Sequence, residues 1–129
     1  MIHINVHWIK SSYCRNIQIR TKKNFILQGY NRKKEYIATQ GPLPDTVGDF
    51  WRLIWDYKIP SVVMLTNLME KMKVKCSQYW PDTGSQQYAN VNVTLINTIH
   101  QADFTIRHFQ IKSVSYLITH TLTVLHTYT

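Results

Sequence analysis

Tyr36-Ile37-Ala38-Thr39-Gln40-Gly41-Pro42-Leu43-Pro44-Asp45-Thr46-Val47-Gly48-Asp49-Phe50-Trp51 is the stretch on which the reading of this chain turns. Its opening residues read as a short strand, and Pro42 and Pro44 stop that strand. Asp45 or Thr46 is placed to cap a helix that follows. Within the helix Phe50, Leu53, Ile54 and Tyr57 recur at i, i+3, i+4 and i+7, which predicts one buried face. Trp51 and Trp55 add a second i, i+4 pair that widens it. Upstream, residues 25–30 read as another strand, joined to 35–40 through the basic turn Asn31-Arg32-Lys33-Lys34, so a hairpin is expected.

Downstream, Pro60 is expected to end the helix, and Ser61 to Thr66 forms an apolar run suited to a strand covered on both faces. Asn90, Asn92 and Thr94 alternate with Val91, Val93 and Leu95, which predicts a half-exposed strand from Tyr88 to Leu95. A further strand is expected over Phe104 to Ile111, with a bulge where the apolar parity shifts between Ile106 and Phe109. This order predicts an α/β or α+β domain with a mixed twisted sheet and flanking helices.

The quoted segment, Lys75-Cys76-Ser77-Gln78-Tyr79-Trp80-Pro81 and the order of the strands around them resemble the classical protein tyrosine phosphatase family. Asp49 to Trp55 is similar to the family's helix, Val62 to Thr66 to its following strand, and Phe104-Thr105-Ile106-Arg107 to a later one. The resemblance covers residues 13–112, with a divergent segment at 1–12 and an uncharged tail at 113–129. It implies a truncated phosphatase-like domain, and a fold of this kind does not by itself carry activity.

The family reaction, hydrolysis of phosphotyrosine in proteins, needs a thiolate in a glycine-rich phosphate loop closed by an arginine. It also needs an aspartic acid on a Trp-Pro-Asp loop to protonate the leaving oxygen. Cys14-Arg15-Asn16-Ile17-Gln18-Ile19-Arg20-Thr21 has the Cys-x5-Arg spacing, but no glycine lies inside it and two isoleucines do. β-Branched residues resist the positive φ of a phosphate cradle. This stretch also precedes the family's first segments, where the nucleophile loop follows the last. Trp80-Pro81-Asp82 has the letters of the acid loop, yet it directly follows the Lys75 to Tyr79 strand motif, ahead of the acid loop's place. The leading expectation is therefore an incomplete domain, inactive on its own and at most a binding fragment, with no catalytic residue. The alternative is an active phosphatase that uses Cys14, Arg20 and Asp82.

Further roles follow only from the resemblance. Tyr13 matches the tyrosine that stacks on the substrate ring, with Asn24 a poor match for the turn that should follow. Glu70 and Lys75 match residues that support the phosphate loop and the acid loop. Cys76 matches a structural cysteine. Leu125 to Thr129 is loosely similar to residues just ahead of the acid loop, so the chain is expected to stop before its general acid. A shifted reading frame or decayed gene end would explain the uncharged tail, and the coding sequence past Thr129 would test this.

The charge is uneven. Residues 1–34 carry eight Lys or Arg and no acid, whereas seven bases balance seven acids from Glu35 onward, so the whole net +8 lies in the first quarter. This basic stretch suits phosphotyrosine proteins or other acidic partners. A nucleic-acid or membrane-surface module is a further alternative, and nucleic acid is disfavoured because aromatics do not interleave with the bases. Scattered histidines and two distant cysteines predict no metal, no cofactor and no disulfide. With no signal peptide or membrane span, a cytoplasmic setting is expected. A sheet edge left open by a truncated domain predicts self-association.

Overall fold

A computed structural model of the chain describes residues 7–10, 25–27 and 36–127, with side chains from 36 to 127. The strands are β1 (His7–Lys10), β2 (Phe25–Leu27), β3 (Tyr36–Thr39), β4 (Ser61–Met64), β5 (Met69–Glu70), β6 (Lys73–Val74), β7 (Ser85–Tyr88), β8 (Val91–His100), β9 (Phe104–Ser113) and β10 (Thr119–Thr127), with helix α1 (Val47–Asp56) between β3 and β4. Eight strands form one sheet in the order β2-β3-β1-β4-β10-β9-β8-β7, and β5 pairs with β6 separately. Every neighbouring pair in the large sheet is antiparallel except β4 with β10, which run parallel. The sheet is thus mixed, as expected, and α1 is the one helix among the described residues.

The expected hairpin is present as β2 against β3, with Ile26 opposite Ile37. Its basic turn lies outside the described residues. Thr46 is the N-cap of α1, but its hydroxyl accepts a hydrogen bond from the N–H of Leu43 (2.9 Å) rather than capping the helix N–H groups. The buried face of α1 is Val47, Phe50, Trp51 and Ile54. Phe50, Trp51 and Ile54 lie in the expected face and Val47 joins them, while Leu53, Trp55 and Tyr57 are only partly buried against the core. Val47, Phe50, Trp51 and Ile54 carry the same i, i+3, i+4, i+7 spacing as Phe50, Leu53, Ile54 and Tyr57, and the first set is the more deeply buried.

Helix α1 ends before Pro60 can act. The N–H of Lys58 donates to the carbonyl of Trp55 and that of Ile59 to the carbonyl of Ile54, while Lys58 takes a left-handed φ of 48°. This is a Schellman motif, closed by two buried isoleucines, Ile54 and Ile59.

Strand β4 alternates between half-buried and buried residues, so it is fully covered on one face and not on both. The predicted strand from Tyr88 to Leu95 is two strands: β7 ends at Tyr88, and Ala89 (φ 52°) and Asn90 turn the chain into β8. The bulge lies in β8 and not in β9, because the register steps from Leu95↔Phe109 to Asn97↔His108 and leaves Ile96 extra and exposed. In β9 the inward parity never changes, and Thr105 and Arg107 continue the face of Phe109 and Ile111.

The uncharged segment after Ser113 supplies β10, which pairs with β9 over nine residues on one side and with β4 on the other. Its β-branched composition suits that central position. The sheet edges are β2 and β7, and β7 is short and polar.

One sheet face carries the core. Directly opposed residues share a face, so Val93, Ile111, Phe109, Leu122, Val124 and Val62 lie together, with Thr105, Arg107 and His126 following them along the strands. Helix α1 and residues 76–80 cover this face. The Trp51 ring meets Phe109 edge-on at 6.0 Å and stacks on Tyr88 at 5.8 Å.

Candidate functional site

The same face changes character along its length. Where α1 covers it, it is aliphatic and aromatic; past Phe109 it continues as Arg107 and Thr105 on β9, Thr98 and His100 on β8, and His126 on β10. Trp80 covers this polar end, and the Arg107 guanidinium carbon lies 4.7 Å from the centre of a Trp80 ring. That contact is a cation–π arrangement, which partly replaces the water that the cation loses. One terminal nitrogen of Arg107, Nη1, is buried with no hydrogen-bond partner, and so is the hydroxyl of Thr66.

His126 is buried between these groups. Its Nε2 lies 2.9 Å from the backbone carbonyl of Thr66, and because a carbonyl only accepts, Nε2 carries the proton. Burial lowers the His126 pKa from its usual 6.5; the Thr66 hydrogen bond opposes this and the Arg107 charge adds to it. The ring is therefore held neutral at neutral pH.

Beside Trp80 an open cleft of about 190 Å³ is lined by Trp80, Pro81, Asp82, Leu95, Thr98, His100 and Arg107. Asp82 sits exposed at this cleft and accepts a hydrogen bond from Gln78 Nε2 at 2.7 Å, and the same nitrogen reaches the Trp80 carbonyl at 3.1 Å. His100 Nδ1 lies 3.2 Å from the Thr105 hydroxyl.

Among the described residues the cleft has no thiol partner. Cys76 is 1% exposed, and burial pushes its thiol up to about 12, so it is a protonated core side chain. Its Sγ donates weakly to the Ser77 carbonyl at 3.2 Å. Tyr79, fully buried, has its phenol pKa raised well above 10, first by burial and then by Cys76, with Arg107 opposing.

The other residues singled out by sequence are dispersed. Glu70 lies in β5 opposite Lys73, and its Oε1 accepts from the N–H of Asn67 at 3.4 Å. Lys75 follows β6, and its N–H donates to the carbonyl of Leu68 at 2.8 Å. Both residues are half-exposed. Tyr13, Cys14, Arg20 and Asn24 lie outside the described residues. No group of three His, Cys, Asp or Glu suited to a metal ion occurs among the described residues, and no helix there is long and apolar enough to cross a membrane.

Sequence reasoning left Arg107, Trp80 and His126 without a role. A signal was present: with Phe109 and Ile111 inward, period-two alternation turns Arg107 inward too, and an inward arginine calls for a partner.

Comparison with known proteins agrees with the architecture. The family model described as protein-tyrosine phosphatase matches residues 3–129. The chain is 52% identical over 83 residues to receptor-type tyrosine-protein phosphatase F of Rattus norvegicus, covering 64% of this chain and 4% of that protein. It is 48% identical over 88 residues to tyrosine-protein phosphatase Lar-like of Caenorhabditis elegans, covering 68% of this chain and 4% of the relative. With receptor-type tyrosine-protein phosphatase eta of Gallus gallus the identity is 43% over 100 residues, covering 78% of this chain and 7% of the relative. The matched region therefore spans only a small part of these curated relatives. With the family model matching residues 3–129 of the chain, and the mixed sheet and buried aromatic helix face in place, the chain belongs to the protein-tyrosine phosphatase family.

Proposed function

We propose that this chain is a non-catalytic member of the family, which keeps the scaffold and offers a basic surface to phosphorylated or acidic protein partners in the cytoplasm. The observation that carries the reading is the state of Cys76. Phosphotyrosine hydrolysis by this family's chemistry begins with a thiolate, and Cys76, the one cysteine among the described residues, is buried with its pKa pushed up to about 12. Asp82, which has the letters of the acid loop, is turned to Gln78 at the Trp80 cleft. The net charge of +8 favours acidic partners.

The competing reading is an active phosphatase that uses Cys14, Arg20 and Asp82. Turnover of a small aryl phosphate by the purified chain separates the two, with Cys14→Ser and Asp82→Asn measured alongside. The expected result is no turnover above the buffer rate in any of the three proteins. Turnover that Cys14→Ser abolishes would overturn the proposal.

A further inference from the structure

We propose that the β5–β6 hairpin is a lipid-contact element that seats Met72 in the interface of an anionic membrane surface. Two unusual properties meet at this residue. Lys71 and Met72 form the two-residue turn between Glu70 and its partner Lys73, and both take left-handed φ values, 47° and 60°. A turn with both central residues at positive φ is normally filled by glycine or asparagine, because a Cβ there meets the following carbonyl. Met72 is also 93% exposed, the highest value among the exposed large hydrophobic residues, and Met69 and Val74 beside it are 59% and 66% exposed. The backbone is thus held in a costly conformation that presents an apolar side chain to water, and the core makes no use of that side chain.

The charges around the tip point to the occupant. Lys71 and Lys73, on either side of Met72, are both exposed. The one acid in the hairpin, Glu70, turns back to accept the N–H of Asn67. Apolar side chains ringed by lysines match the boundary between lipid headgroups and acyl chains, where the thioether enters the apolar layer and the ammonium groups stay at phosphate level. An anionic leaflet attracts each of these lysines. A nucleic acid would engage the lysines but would give no reason for Met69, Met72 and Val74 to be exposed together. The inference does not depend on whether the chain hydrolyses phosphotyrosine.

The test is sedimentation of the whole chain with vesicles of phosphatidylcholine alone and with about a quarter phosphatidylserine. Binding is expected to need phosphatidylserine and to weaken several-fold as salt rises through the physiological range. Met72→Gly, which suits the left-handed turn and so preserves folding, is expected to weaken binding several-fold. Met72→Trp is expected to be quenched by brominated acyl chains relative to the parent. Three results would each overturn the proposal: Met72→Gly binding as well as the parent, no added quenching in Met72→Trp, or equal binding to both kinds of vesicle. Binding of transfer RNA in place of vesicles would count against it in the same way.

Discussion

The indole Nε1 of Trp51 donates a hydrogen bond to the backbone carbonyl of Tyr79 at 2.6 Å, with both residues fully buried. This bond ties the helix of the first signature segment to the strand motif of the second, 28 residues later. Phe50 closes the same junction, its ring centre 4.5 Å from that of Tyr79. Trp51→Phe is expected to lower stability by about 2–4 kcal/mol, from lost aromatic packing and the lost indole hydrogen bond. Urea unfolding of the two proteins measures the difference. A loss well below 1 kcal/mol would mean that the junction does not hold the domain together.

Gly41 meets the second segment at closer quarters. A Cβ added there would lie 2.8 Å from Cys76 Cβ and 3.0 Å from its Sγ, while the Ser77 N–H donates to the Pro42 carbonyl at 2.8 Å. Gly41→Ala is expected to cost about 1–3 kcal/mol by overpacking. Cys76→Ala in that background should recover only part of the loss, because the closer contact is with Cβ, which alanine keeps. A double-mutant cycle reads the coupling directly.

The Cys76 thiol, buried and pushed up to about 12, is expected to resist alkylation in the native protein at mildly alkaline pH and to react once denaturant is added. Peptide mapping after iodoacetamide treatment distinguishes it from Cys14. Rapid native labelling at Cys76 would mean that the Gly41–Cys76 contact opens.

His126 predicts a pH dependence. Its folded pKa lies below its usual 6.5, so on acidification the unfolded chain takes up the proton first and is stabilised relative to the folded one. The contribution of the neutral ring is fully present above pH 6.5 and is lost as pH falls from there through the folded value. One such group gives a slope of at most about 1.4 kcal/mol per pH unit. His126→Gln, which keeps a donor for the Thr66 carbonyl, should flatten the stability profile between pH 7 and 5. An unchanged profile would assign the slope to other groups.

At the β5–β6 turn, Met72→Gly is expected to raise stability by about 0.5–1 kcal/mol, because relief of the left-handed strain outweighs the extra freedom of glycine in the unfolded chain. Thermal unfolding tests this, and a lower melting temperature would show that the Met72 side chain has a folded-state partner.

Local signals were legible where they fall within one element. Pro42 and Pro44, the start of the helix at Thr46, the apolar run from Ser61 and the alternation after Phe104 place β3, α1, β4 and β9 close to where they lie. Two overlapping registers of α1 share the same spacing, and the sheet beneath buries the one that holds Val47 and Trp51 more fully than Leu53 and Tyr57. The stretch from Tyr88 to Leu95 reads as continuous because Ala89 is not a turn residue by type, yet it adopts φ 52°. Parity points to a bulge in β9 whereas the extra residue lies in β8, because parity within one strand cannot tell which partner carries it.

By itself the sequence determined the family and the periodicity of the strands, because both reside in residue types at fixed short spacings. The tertiary structure alone decided that the uncharged segment after Ser113 is a central strand between β4 and β9, since its partners lie more than fifty residues away on one side. It alone decided that Arg107, Trp80 and His126 meet at the polar end of the core face. The physical reason is the same in both cases. Hydrogen-bond partners across a sheet, and the burial that sets whether a thiol or an imidazole is charged, are fixed by neighbours in space that no local spacing encodes.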